Sequence, residues 1–152
     1  MVRTAPQSRL VTDELLVSLE GSGMSVGDGD APSSVGWAGV PGGSQFTPYL
    51  VLHELPATAD GPLNDPDADV DGMYQVTAVG STREQCGWAA DEARTAMCAT
   101  HDAVDERVIL LVKADQLVGP RRDDSGQPGE PSVWISTDRF SVRTTPGPPT
   151  GS

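Results

Sequence analysis

The stretch that decides the fold is residues 72–99, GMYQVTAVGSTREQCGWAADEARTAMCA. Its first part has a period of two. Tyr74, Val76 and Ala78 alternate with Met73, Gln75, Thr77 and Val79, which predicts a strand with two distinct faces. Gly80 breaks the pattern. Ser81 and Glu84 then stand three residues apart, the spacing of a capping box, in which a hydroxyl and a carboxylate each satisfy the other's free backbone N–H. Beyond them the period is helical. At about 100° per residue, Cys86, Ala89, Ala90, Ala93, Ala96 and Met97 share one stripe, and Arg83, Glu84, Asp91 and Arg94 lie opposite. The alanines let the helix axis approach a sheet closely. Trp88 is expected at the edge of the stripe, where it could face a neighbour. The unit reads as strand, tight turn and helix, and nothing in it is catalytic.

The same stretch carries a resemblance. Residues 74–82, YQVTAVGST, followed by Gln85, Trp88, Ala89 and Arg94, resemble the tail terminator (tail completion) proteins of long-tailed bacteriophages. In that family a strand ending in Gly-x-Thr leads into an Ala-rich helix with an aromatic near its second turn. The order of elements on either side also fits, so the resemblance extends over residues 10–146. It implies a structural virion protein. A hexameric ring would cap the head-proximal end of the tail tube, stop tube growth and offer a surface for head joining. The implied partners are copies of the chain itself, the major tail tube protein and a head-side connector or stopper protein. Genomic DNA would pass through the bore without specific binding. The implied location is the head–tail junction of the virion, reached through the host cytoplasm during assembly.

Composition sets limits of its own. A chain of 152 residues suits a single domain, with 1–7 and 144–152 expected as flexible tails. Leu, Ile, Val and Phe make only about 20% of it, near the level at which chains fail to bury enough surface. With 17 glycines and 13 prolines, this predicts a thin core with long loops. Such a fold gains stability from any partner that binds only the folded form. A net charge of -12 argues against a conventional nucleic-acid binder, which needs cations to displace counterions from phosphates. No apolar run has membrane-spanning length and no signal-peptide pattern opens the chain, so no membrane association is expected. Cys86 and Cys98 both fall on the expected helix, about 18 Å apart at 1.5 Å per residue, too far for a disulfide between them.

Residues 8–19 predict an amphipathic helix with Val11, Leu15, Leu16 and Leu19 on one face, stopped by Gly21 and Gly23. Residues 24–28 predict a short strand. The run 30–47 is a long Gly-, Pro- and Ser-rich loop around Trp37 and Phe46. These aromatics either fold back on the domain's own core or dock against another subunit. Residues 48–55, PYLVLHEL, predict a strand buried on both faces and central in the sheet. His53 within it reads as a packed residue rather than a ligand. Residues 107–112 predict a further strand, which 115–118 either continue or bend away from. The segment 119–131 reads as a polar hairpin loop, with Arg121 and Arg122 as candidate contacts, and 132–136 and 140–143 as two more strands.

Residues 56–71 read as a loop with five aspartates, Asp60, Asp65, Asp67, Asp69 and Asp71. Asp67, Asp69, Asp71 and Gly72 match the first half of an EF-hand loop. The twelfth position, which must be a bidentate acid, is Ala78, and the flanking helices are missing. A calcium site on Asp67, Asp69 and Asp71 is therefore only a weak candidate beside a solvated acidic turn. Under the resemblance, Asp65, Asp67, Asp69 and Asp71 would face the bore and repel DNA by like charge. Trp37, Phe46, Trp88, Arg121 and Arg122 are the candidates for subunit or tube contact.

No nucleophile elbow, zinc spacing, dinucleotide fingerprint or P-loop is present in the sequence. No cofactor is expected, and an enzyme is disfavoured. The expectation is an α+β domain with a mixed or largely antiparallel sheet, two helices packed on one face and long loops. Its expected core is Leu15, Leu16, Leu19, Val51, Tyr74, Val76, Ala89, Ala93, Met97, Ile109, Leu111 and Val142. The functional expectation is the terminator ring. Its alternatives are another neck or head-completion connector and, from a different class, a calcium-dependent binding module.

Overall fold

The computed structural model of the chain describes residues 8–37, 45–59, 70–99, 101, 107–123 and 131–146. Helix α1, Ser8–Glu20, leads to strand β1, Ser25–Asp28. Two short strands follow, β2 at Gly36–Trp37 and β3 at Phe46–Thr47. Strands β4, Tyr49–Ala59, and β5, Val70–Gly80, precede helix α2, Arg83–Met97. Strands β6, Arg107–Asp123, and β7, Val133–Pro146, complete the order. Five strands form one mixed sheet in the order β1-β4-β5-β7-β6, and β2 pairs with β3 separately. Only the β1–β4 pairing is parallel; β4–β5, β5–β7 and β6–β7 are antiparallel. Strands β5 and β6 therefore run the same way with α2 between them in the chain. Strand β7 fills the slot between them, a split β-α-β arrangement. The fold is α+β, as the patterning predicts.

Both helices lie over one face of the sheet, because the core joins their apolar stripes to alternate residues of the strands. Val11, Leu15 and Leu19 of α1 and Ala89, Ala90, Ala93 and Met97 of α2 pack with Leu50, Leu52, Tyr74, Val76, Ala78, Phe140 and Val142. Three alanines in that contact keep α2 close to the sheet, as its sequence suggests. Of the expected core, Leu16 packs against this cluster only in part, and Val51 is buried on the opposite face. The side chain of Leu111 lies outside the described ones. Phe140, Leu50 and Leu52 join the core beyond the expected set.

The turn from β5 to α2 differs from expectation by one residue. Thr82, with φ -128° and ψ 162°, is the N-cap, and its hydroxyl accepts from the Gln85 amide at 3.1 Å. The Gln85 side chain reaches back and accepts from the Ser81 amide at 2.7 Å. The Thr-x-x-Gln spacing thus wins over Ser-x-x-Glu. Gly80 explains the choice, because it belongs to the strand and the first turn of α2 packs directly on its backbone. A Cβ at residue 80 would lie 2.5 Å from the Cys86 nitrogen.

Further expectations are corrected. Strand β6 runs on through 113–123, so Arg121 and Arg122 stand on a strand and not in a hairpin loop. The segments 132–136 and 140–143 are one strand, β7, bridged by Thr137, Asp138 and Arg139. Their polarity suggests a break, but Asp138 has an ion-pair partner on α2 that keeps it inside. Residues 144–146 belong to β7 and not to a flexible tail, and of the expected loop 56–71, residues 56–59 belong to β4 and residues 70 and 71 to β5. The 30–47 stretch carries the β2–β3 ladder.

Candidate interaction surface

Among the described residues three large apolar side chains are exposed: Val17, Trp88 and Leu117. Trp88 is 51% exposed. It does not sit at the edge of the α2 stripe. It lies two residues past Cys86, about 200° around the helix, so it points away from the sheet. Its neighbour Gly87 has room for a Cβ 3.8 Å from Pro120, which sets the first turns of α2 alongside the far end of β6. Leu117 is the rung partner of Asp138, and Asp138 is held by Arg94 of α2. Leu117 thus stands on the helix side of the edge strand β6, and Trp88 on the outer side of α2. An exposed aromatic on the outer side of a helix is the kind of anchor that protein contacts use.

The other aromatics do not extend outward. The Trp37 and Phe46 rings meet edge to face at 5.1 Å, and Phe46 stacks with Tyr49 at 6.5 Å. Phe46 is buried and Trp37 is half-buried. Phe46 is thus packed within its own chain, apart from the main core cluster, and Trp37 keeps part of its surface open. The cluster covers the face of β4 opposite the helices, where Val51 and Val79 are also buried. Burial pushes the Tyr49 phenol above its ordinary value. The Trp37 indole N–H is buried with no hydrogen-bond partner among the described residues.

Two polar clusters lie under the helices. Thr12, fully buried on α1, donates to Glu54 and meets the Tyr74 hydroxyl at 3.1 Å. Burial pushes the Tyr74 phenol up, and the Glu54 charge adds to the shift. The second cluster joins α2 to β7 and β6. Asp138 is 2% exposed. Its carboxylate accepts from Arg94 Nε at 2.9 Å and from the Val118 amide at 3.3 Å, while Arg94 also pairs with Asp91 at 3.0 Å. The hydrogen bond to Asp138 holds the Arg94 guanidinium firmly charged. Cys86 points at the Ala78 carbonyl, and burial, with the Asp138 charge, pushes its thiol up to about 11. A thiol in that state is a poor nucleophile. A maleimide or iodoacetamide reagent at mildly alkaline pH should label the exposed Cys98 and leave Cys86 untouched in the folded chain. Equal labelling of both in mass spectra would show that α2 opens readily. These clusters tie elements together, and neither pairs an activated nucleophile with a base.

Strand β7 separates two surfaces with unusual clarity. Ser136, Asp138, Phe140, Val142 and Thr144 are buried under the helices, so Ile135, Thr137, Arg139, Ser141 and Arg143 lie on the open face. The rung partners of Ile135 and Ser141 on β6 are Arg121 and Lys113, which share that face. Arg122 pairs with Trp134 and belongs to the helix side. Arg121 and Arg122 are thus neighbours in sequence that serve opposite surfaces. Asp65, Asp67 and Asp69 lie outside the described residues; Asp71 is on β5, the rung partner of Arg143. Among the described residues no group of His, Cys, Asp and Glu could hold a metal ion. No helix among them is long and apolar enough to cross a membrane. No protein-family model matches the chain, and no curated protein matches it.

Proposed function

We propose that the chain is a tail terminator, a ring-forming virion protein that caps the head-proximal end of a phage tail tube. The observation that carries the reading is the β5–turn–α2 unit. The residues that bear the resemblance form the middle of the fold: β5 is the central strand, Gly80 is the close contact, and Thr82 is the cap. Trp88, the aromatic of that motif, is left on the outer side of α2. A core aromatic would need no such position, and a docking residue would. The protein then acts by shape and copy number. Its partners are its own copies, the tube protein and a head-side connector, and DNA passes through the bore. The same reading places it at the head–tail junction of the virion.

Electron microscopy of particles lacking this protein tests the reading. Tubes of uncontrolled length are the expected result. Finished tails beside unjoined heads would instead assign it to the head side of the neck. Trp88→Ser gives a second arm. The variant should melt within about 0.5 kcal/mol of the parent, as exposed substitutions do, yet fail to limit tube length. Normal tube lengths with Trp88→Ser would remove that residue from the contact.

A further inference from the structure

We infer that the open face of β6 and β7 binds an acidic, extended segment of a different protein through Lys113, Arg139 and Arg121. The chain holds 22 Asp and Glu against 10 Lys and Arg. With acids in such excess, a surface base has ample choice of partners. These three nevertheless stand exposed on one side of two adjacent strands, with no ion pair among the described residues. Asp71 does not neutralise them, because it shares its rung with Arg143 at one end of the face. Asp123 stands at the other end, on the Val133 rung. Between those ends no paired residue of β5, β6 or β7 on this face is acidic, and Asp115 lies in a β6 bulge, outside the rungs.

The open side of the sheet is not uniform. Val51 and Val79, toward β4, are buried, whereas Lys113, Gln116, Arg121 and Arg139 are exposed. The accessible part is therefore the basic part. Its spacing suits an extended chain. Lys113 stands on the Ser141 rung, the Arg139 rung lies about 7 Å along the strands from it, and Arg121 on the Ile135 rung about 20 Å, at roughly 3.3 Å per residue. Carboxylates at the first, third and seventh positions of a strand have the same spacing. Lys113 and Arg139 are diagonal neighbours, so their charges repel until an anion comes between them. Gln75, Thr77, Gln116, Thr137 and Ser141 share the face and carry donors for the remaining carboxylate oxygens.

A carboxylate-bearing segment fits this face better than a nucleic acid does. Tight binding to duplex DNA uses roughly six to ten phosphate contacts, and a chain of net charge -12 opposes a long polyanion. Single strands need rings on which bases stack. The rings on this side, Trp37, Phe46 and Tyr49, pack on one another toward β4. A short acidic segment needs neither. The contact stands apart from the terminator reading: it asks nothing of copy number, and its failure leaves tube-length control to be judged by microscopy.

The test is fluorescence anisotropy with the full chain. The probe is a fluorescein-labelled synthetic peptide alternating Glu and Thr, and a Gln-Thr peptide is its neutral counterpart. The parent should bind the acidic peptide at about 0.05 M salt and lose at least about tenfold in affinity by about 0.5 M. Lys113→Glu and Arg139→Glu should each weaken binding about tenfold or more. Arg83→Glu makes the same change in net charge on α2 and should shift binding by less than about twofold. Matched melting curves exclude misfolding. The assignment is overturned by a parent that binds nothing at about 1 mM, by equal binding of the neutral peptide, or by an equal loss in Arg83→Glu. A DNA fragment, single-stranded or duplex, bound more tightly than the peptide and released by the same two substitutions makes the face a nucleic-acid site and overturns it. Sedimentation in which the parent self-associates and the two face variants do not makes it a contact between copies, and overturns it equally.

Discussion

Arg94→Ala should lower the unfolding free energy by about 3–5 kcal/mol, the loss usual when one partner of a buried ion pair is removed. Asp138 sits almost completely inside, between α2 and β6. Arg94 supplies its Nε donor at 2.9 Å and a second donor at 3.4 Å. Without them the carboxylate keeps the Val118 amide and little else, in a place water does not reach. The reverse change is milder. In Asp138→Leu the guanidinium retains Asp91 and partial exposure to solvent, and about 1 kcal/mol is expected. The double variant Arg94→Met/Asp138→Leu should recover most of the loss, since apolar groups of similar volume replace a buried pair at little cost. Urea unfolding of the three variants gives the comparison. Equal losses for both single variants would mean that Asp138 is solvated in the folded chain.

Gly80→Ala should cost about 1–3 kcal/mol, with the melting temperature falling by several degrees. The added Cβ meets the Cys86 nitrogen at 2.5 Å and its Cα at 3.0 Å. These are backbone atoms of the first turn of α2 and cannot rotate aside. The helix must shift, and the seats of Cys86, Ala89 and Ala90 shift with it. Gly119→Ala is the control: it lies on β6, where a Cβ would meet nothing within 4 Å. A calorimetric scan in which both variants match the parent would mean that the turn is looser than its geometry.

The β5–α2 unit was legible because its two periods run unbroken on either side of Gly80. The faces of β5 and the buried stripe of α2 both follow the expected residues. Strands β6 and β7 were legible only in part. Three register shifts in β6 destroy the alternation on which a strand is read. The polar centre of β7 is held by an ion pair to a residue 44 positions away, which no local window contains. Trp88 shows chemistry and geometry in conflict: an aromatic suggests burial, but 200° of helical rotation places it outside. Arg121 and Arg122 were marked as a pair, yet a strand sends neighbours to opposite faces. The basic face could not be read at all before the register was known, since Lys113 and Arg139 meet only through the Ser141 rung.

The place of β7 has a consequence for how the protein is made. The ribosome delivers β4, β5, α2 and β6 before the strand that joins them, so a nascent chain holds two sheet fragments with facing, unsatisfied edges. Closure waits for residues 133–146 to clear the exit tunnel. Where several ribosomes translate one message, those open edges lie near identical open edges, and mispairing between neighbours is the hazard. A late-arriving strand therefore ties correct maturation to the pace of synthesis, and slowing translation before residue 133 should lower the yield of usable protein.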